Sequence, residues 1–454
     1  MPGTATADPT VVPELDGSTA KRTALLLGIL FGLAGMGSAG AALALAPLAG
    51  AYDIGLGAAA WTISLYALMF GVGTAVYGRV ADLQGPRFPM LVGLSLMTFG
   101  ALVAALAPTF GLHLAGRLVQ GAGAAAVPTL GAAILTARYR GAVRSSALLR
   151  LAGVAAAMTS LGPLAAGLLV DTLSWRLAIA LPILGVLVVP FLWSSMHVGG
   201  TGARLDILGA VLTALAAGGV VLLLQSPSTG ASVALAGAVL VVLGTPAVAV
   251  WVRRHPDGFL PLSVVRNPRV VRSALAAAAI PASWFALLVA IPAVLLADGW
   301  SAWQVGLALV PAGVVGLVTP RVAGPLLART PAATALAFGA VAASVSLLVA
   351  ALGAALESPV LLVVAVVLAT ISFGVGQPAL TAAVGEAVAE DVRGVALGVA
   401  TLLFMVGASV GSAVVGGLGP VLGLSVSILV LTALPAVGLI LLVPNIRRPV
   451  SRAS

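Results

Sequence analysis

Long uninterrupted runs of apolar residues recur along this 454-residue chain, parted by short breaks where Gly, Pro, Asp and Arg collect. A helix of about 20 such residues, rising about 1.5 Å per residue, crosses the hydrocarbon core of a bilayer. The pattern predicts helices over 24–46, 57–77, 89–107, 111–135, 147–170 and 176–195, then over 205–225 and 231–252. Six more follow over 271–297, 303–320, 331–354, 359–382, 394–416 and 421–443, so fourteen spans are expected. The first 22 residues are polar and end in Lys21-Arg22. The run after them is longer than a signal-peptide core and lacks a convincing cleavage site, which predicts an uncleaved first span.

Charge tests the count. An even number of spans places both ends of the chain on one face, and twenty of the 22 Lys and Arg residues then fall on that face. Arg176 alone lies in a loop on the opposite face, and Arg117 lies within a helix. Loops rich in Lys and Arg stay cytoplasmic, so cytoplasmic termini are expected. A wrong count would scatter these charges over both faces.

Composition narrows the chemistry. With 8% charged and 61% hydrophobic residues and a mean hydropathy of +1.18, the chain is no soluble domain. The 55 glycines suit helices that pack closely in lipid. No cysteine is present, so disulfides and thiolate metal sites are excluded, and His113, His197 and His255 stand too far apart in sequence to suggest a metal centre. The net charge of +9 resides in the short breaks, a topological signal rather than a nucleic-acid surface. No cofactor motif or ATP-binding motif occurs.

The two halves repeat. "GRVADLQGPR" (78–87) follows the second helix and "PRVAGPLLAR" (320–329) the tenth, aligning Arg79-Val80-Ala81 with Arg321-Val322-Ala323. "RSSAL" (144–148) opens the fifth helix and "RGVAL" (393–397) the thirteenth. Such duplication is typical of transporters that carry their site between the halves. The expected organisation is a tail (1–22), a six-helix bundle (23–195), two inserted helices (196–255), a linker with a second six-helix bundle (256–446) and a tail (447–454).

These stretches resemble the major facilitator superfamily, and within it the drug:proton antiporter branch with fourteen spanning helices. "GRVADLQGPR" is similar to the family's loop motif between helices 2 and 3 through Gly78, Asp82, Gly85 and Arg87, with Leu83 and Pro86 where basic residues are usual. "LAGRLVQGAGAA" (114–125) is similar to the helix 4 motif through Arg117, Gln120 and Gly121. "LGPLAAG" (161–167) is similar to the antiporter motif of helix 5 through Gly162, Pro163 and Gly167, with Met158 and Ala166 where glycine is usual. "SWRLAIALP" (174–182) and "LPLSVVRNPRV" (260–270) resemble two further stretches of the branch. One departure stands out: the acidic residue that the branch often places nine positions before a proline in helix 1 is Ser38 here, counted back from Pro47.

The resemblance implies an all-α integral membrane protein of the major facilitator fold, with two six-helix bundles and two inserted helices. It implies a non-enzymatic secondary transporter of the cell membrane that exports small amphiphilic or lipophilic compounds by proton antiport and alternating access. Its partners would be a small-molecule substrate, protons and the lipid bilayer; no nucleic acid is expected, and the working unit is expected to be a monomer. An uptake carrier or a lipid flippase on the same fold is the alternative. A membrane enzyme fits poorly, because the loops are short and the carboxylates dispersed.

Polar residues within the spans mark candidate sites. A charge inside a membrane helix costs several kcal/mol and usually has a purpose. Arg117 therefore either polarises a proton-transfer or anionic-substrate site, or is satisfied by carbonyls and polar neighbours of helices 1 and 2. Gln120, three residues on, shares its face. Ser38, Trp61, Tyr66, Trp284, Gln304, Gln377 and Thr381 are candidate cavity residues, Trp61 and Trp284 having interfacial anchoring or packing as their alternative. No carboxylate falls in mid-span, so a permanently cationic substrate lacks a buried counter-charge, and neutral or anionic compounds fit better. Proton carriers are then sought near the faces, at Asp53, Asp298 and Glu386, each of which is otherwise a solvated loop charge. Gly162-Pro163 is a candidate hinge or seal, since proline removes a backbone hydrogen bond within a helix. By the resemblance, Asp82 faces the N-terminus of the helix beginning near Arg393-Gly394. The macrodipole and free N–H groups there favour a carboxylate, making Asp82 a gate latch rather than a proton carrier.

Overall fold

A backbone crossing hydrocarbon must satisfy its own N–H and C=O groups, and a helix does this within one segment. The computed structural model describes residues 17–196 and 206–447, and among these there is no strand. Fourteen helices are long and apolar enough to cross a membrane. In the first set these are α1 (Gly17–Tyr52), α2 (Trp61–Gln84, led by the turn Leu56–Ala59) and α3 (Arg87–Leu106). They continue with α4 (Phe110–Ala124 and Ala126–Arg138), α5 (Gly141–Thr172) and α6 (Trp175–Ala180, a 3-10 stretch Leu181–Val188, and Val189–Leu192). The intervening pair is α7 (Ile207–Thr229) and α8 (Ala231–Arg254).

The second set is α9 (Pro268–Ala297), α10 (Ala302–Ala308 and Val310–Arg329), α11 (Ala332–Ala355), α12 (Pro359–Ala387), α13 (Glu390–Leu422) and α14 (Leu424–Leu431 and Ala433–Arg447). The face holding Gly17 and Arg447 is called the terminal face, and the opposite one the far face.

Each expected span has its helix, with differences at the ends. α1 runs through Pro47 to Tyr52, beyond the expected residue 46. α13 starts at Glu390 rather than near Arg393-Gly394 and continues through Pro420 to Leu422. Proline removes one donor and bends a membrane helix, but neighbouring helices hold the helix on both sides of it. α6 was expected as one regular helix; Pro182 and Pro190 instead tighten its middle into 3-10 geometry. The turn from α2 to α3 needs Gly85, whose φ of 76° lies where a side chain is strained.

The core shows how the two sets meet. Toward the far face one apolar cluster joins both sets, from Leu43, Leu48 and Ile63 across to Leu287, Ile291 and Leu347. Toward the terminal face the core divides. Leu27, Leu30, Met97 and Ile134 form a cluster of the first set, and Val270, Ile280, Leu336 and Phe404 one of the second. On that face the α5 residues Ser145, Ser146 and Leu149 are exposed, as are Arg321 and Val322 of α10. The sets thus share one core along the far face and keep separate cores toward the terminal face, where Val72 and Ala75 of α2 still pack with Leu402 of α13.

Candidate functional site

Arg117 lies two turns into α4, about 10 Å from the far-face end of that helix, and is fully buried. Backbones must come close to supply partners there. A Cβ at Gly121 would strike the backbone of Tyr66, so glycine lets α4 press against α2. The guanidinium then donates from Nε to the Thr62 carbonyl at 3.0 Å and from Nη2 to the Gly37 carbonyl at 3.4 Å. Nη1 donates to Gln120 Oε1, and the guanidinium carbon lies 4.4 Å from the centre of the Tyr66 ring. Gln120 Nε2 extends the net to the Ile179 carbonyl at 3.3 Å, and the Tyr66 hydroxyl donates to the Ala34 carbonyl at 3.1 Å, with Ser38 in reach of the same hydroxyl. One cation therefore ties α1, α2, α4 and α6 together.

In this conformation carbonyls of α1 and α2 and polar neighbours on α2 and α4 satisfy Arg117, and none of its surface is open. Every acceptor around it is neutral. Its charge is therefore not cancelled, and the interior of the first set favours electron-rich groups and repels cations.

Thr62 has a second role. Its hydroxyl lies 3.2 Å from Nε2 of His113, whose Nδ1 donates to the Ala104 carbonyl at 2.8 Å. His113 is fully buried one turn before Arg117, boxed by Phe110, Tyr52 and Trp175 with ring centres about 6 Å away. The alternation of α4 alone shows that His113 and Arg117 share a face, whereas the partner Thr62, 51 residues away from His113, came only with the fold.

The antiporter-like stretch of α5 packs against two helices. Gly162 faces Ala39 and Met36 of α1, and a Cβ at Gly167 would strike the Ala302 backbone at the start of α10. In return Gly306 of α10 sits against the carbonyl of Pro163, and Gly313 against Ser160, whose hydroxyl also lies 3.2 Å from the Gly313 carbonyl. At the far end Asp171 reaches across to the second set. Its carboxylate accepts the N–H of Ala302 at 3.2 Å and of Trp303 at 2.7 Å, two of the free donors at the start of α10. This clasp was not anticipated from the sequence, in which Asp171 reads as a loop charge.

The remaining candidates separate into groups. Trp61 is buried with Val221 of α7 and Ala413 of α13, a packing position. Gln304 is exposed at the far face and closes a capping box with Ser301, its Oε1 accepting the Ser301 N–H at 2.8 Å, so it caps α10 instead of lining a cavity. Trp284 is half-buried and joins Phe373, 6.2 Å away, in an aromatic group that continues to Phe404. Gln377 and Thr381 are exposed on α12. Asp53, Asp298 and Glu386 are exposed at the ends of α1, α9 and α12, Asp53 with a φ of 51°.

At the terminal face, Gly78 and Gly85 lie at the end of α2, and the Arg87 guanidinium lies 4.3 Å from the Trp193 ring centre. The side chains of Asp82, Glu390 and Asp391 lie outside the described residues, and the expected latch with them.

A fourteen-span, all-helical membrane protein with an uncancelled buried arginine and a seam sealed on one face has the construction of a carrier. The sequence profile of the Major Facilitator Superfamily matches residues 25–412, and the chain belongs to that family. Among curated relatives, the multidrug resistance protein Stp of Mycobacterium tuberculosis is 28% identical over 372 residues, 78% of this chain and 68% of Stp. The cephamycin export protein CmcT of Amycolatopsis lactamdurans is 31% identical, over 61% of this chain and 60% of CmcT. The lincomycin resistance protein LmrB of Listeria monocytogenes is 26% identical, over 61% of each. A crystal structure of a POT family transporter with a thioalcohol-conjugated peptide superposes with a TM-score of 0.72 at 14% identity, covering 95% of this chain and 97% of that one. That likeness concerns the fold.

Proposed function

We propose that this protein exports small amphiphilic compounds, uncharged or anionic, across the cell membrane in exchange for protons by alternating access. The observation that carries the reading is the seam: one core joins the sets at the far face, whereas toward the terminal face their cores are separate except along α2 and α13, as in one end state of a rocking carrier. Its relatives named for multidrug resistance, cephamycin export and lincomycin resistance support export of this kind. The distribution of Lys and Arg supports a cytoplasmic terminal face, from which this state accepts substrate. The glycine-lined contact of α5 with α10 is the far seal, and the stretch Gly78, Asp82, Gly85 and Arg87 is the opposite gate. Among the described residues every carboxylate lies at a helix end or in a loop, so protons act on the gates rather than through a buried acid.

Growth inhibition by a panel of antibiotics and dyes, with accumulation measured with and without an uncoupler, tests the reading. Protection and low accumulation that both disappear with the uncoupler are expected. Accumulation that rises with expression would show uptake instead.

A further inference from the structure

The helices inserted between the two sets have no counterpart in a twelve-helix duplication, and the reading above gives them no task. α7 nevertheless reaches the seam. A Cβ at Gly417 of α13 would strike the Leu224 and Gln225 backbone of α7, so these two helices interlock at van der Waals contact. From that position Gln225, fully buried, donates from Nε2 to the Ser64 hydroxyl of α2 at 3.0 Å. Ser64 in turn lies 2.9 Å from the Ser412 hydroxyl of α13. Beside this bridge Gly57 of α2 packs against the Gly416 carbonyl and Ser228. Three elements, one from each set and one from the insert, therefore meet at a buried polar point toward the far face.

We propose that the inserted helices are a strut of the far gate: α7 travels with α13, and Gln225 holds α2 against α13 through Ser64 while that face is closed. Opening the far face parts α2 from α13 and breaks both bonds to Ser64, whereas the α7–α13 interlock has no side chain that must be released. The latch is built to be broken. Gln225 Oε1 is buried without a partner, as is Ser409 Oγ one turn before Ser412 on α13. An orphaned buried acceptor offsets part of what the bonds beside it contribute.

The inference rests on alternating access, and spin-label distances read it without any transported compound, so failure of the export reading leaves its test intact. The sequence contains no cysteine, and introduced cysteines therefore report alone. Labels at Leu106→Cys and Leu356→Cys, both exposed at the far face on opposite sets, report its opening; labels at Phe88→Cys and Val322→Cys report the terminal face. Gln225→Leu keeps the packing volume and removes the donor, Gln225→Asn keeps an amide too short to reach, and Ser64→Ala removes the central hydroxyl. In the purified full chain, each variant should at least double the population with the longer far-face distance and shorten the terminal-face distance, with unchanged elution on size exclusion. Far-face distances like the wild type in both Gln225 variants, whatever Ser64→Ala does, would overturn the role of the insert.

Discussion

Replacing Arg117 by methionine and by lysine separates the tie it makes from the charge it carries. Methionine keeps the length and loses three donated hydrogen bonds, to the Thr62 and Gly37 carbonyls and to Gln120, together with the contact with the Tyr66 ring. Buried hydrogen bonds between membrane helices average about 0.6 kcal/mol, and a desolvated cation–ring contact is worth about 2 kcal/mol. The loss is thus about 4 kcal/mol, against relief of a charge that costs about 2.5–3.5 kcal/mol at the bilayer centre and less nearer a face. Arg117→Met should therefore remain folded, within roughly 1–2 kcal/mol of the wild type by the same sums.

Lysine keeps the burial cost but replaces a planar fork by a point donor on a shorter reach. It cannot serve Thr62, Gly37 and Gln120 together, and it should be the less stable variant. Thermal unfolding of the purified proteins should rank wild type, then methionine, then lysine. Drug accumulation in cells with matched membrane expression should rise in both variants to the level of cells without the carrier. An Arg117→Met protein that exports normally would remove the tie from the transport cycle, and a lysine variant as stable as the wild type would refute the energetic reasoning.

Other expectations follow from single contacts. Asp171→Ala frees the Ala302 and Trp303 N–H groups; removal of a helix-capping carboxylate costs about 1 kcal/mol, so the far-open population should rise about five-fold in spin-label distances. Gly167→Val places a side chain against the Ala302 backbone, and cross-linking across the far face should fall several-fold while the terminal face stays reactive. Burial pushes the Asp206 carboxyl up, but N–H groups of Phe259 and Gly209, the Trp251 indole and the nearby His255 outweigh it and hold the acid below its ordinary value of 3.8. A depressed acid stabilises above its unfolded value and loses that contribution as pH falls through the folded one. The stability difference between wild type and Asp206→Asn, read as melting temperature, should thus be constant from neutral pH down to about 4 and close only below it.

The number of spans, their approximate ends and the shared face of the termini were all legible in the chain. Each follows from a local requirement: an apolar run must satisfy its backbone as a helix, and Lys and Arg must stay on one side. Arg117 was legible for the same reason, as the one cation the bilayer makes costly. What satisfies it was not, because Gly37 and Thr62 are 80 and 55 residues away and present backbone carbonyls, groups every residue has. Asp171 and Gln304 look alike in sequence, polar residues at helix ends, yet one clasps the opposite set and the other caps its own helix. Nor does the sequence of α7 mark Gln225 as a bridge to Ser64, 161 residues earlier. In hydrocarbon each helix forms on its own sequence, whereas helix pairing depends on how small residues let backbones approach; that was decided only by the tertiary structure.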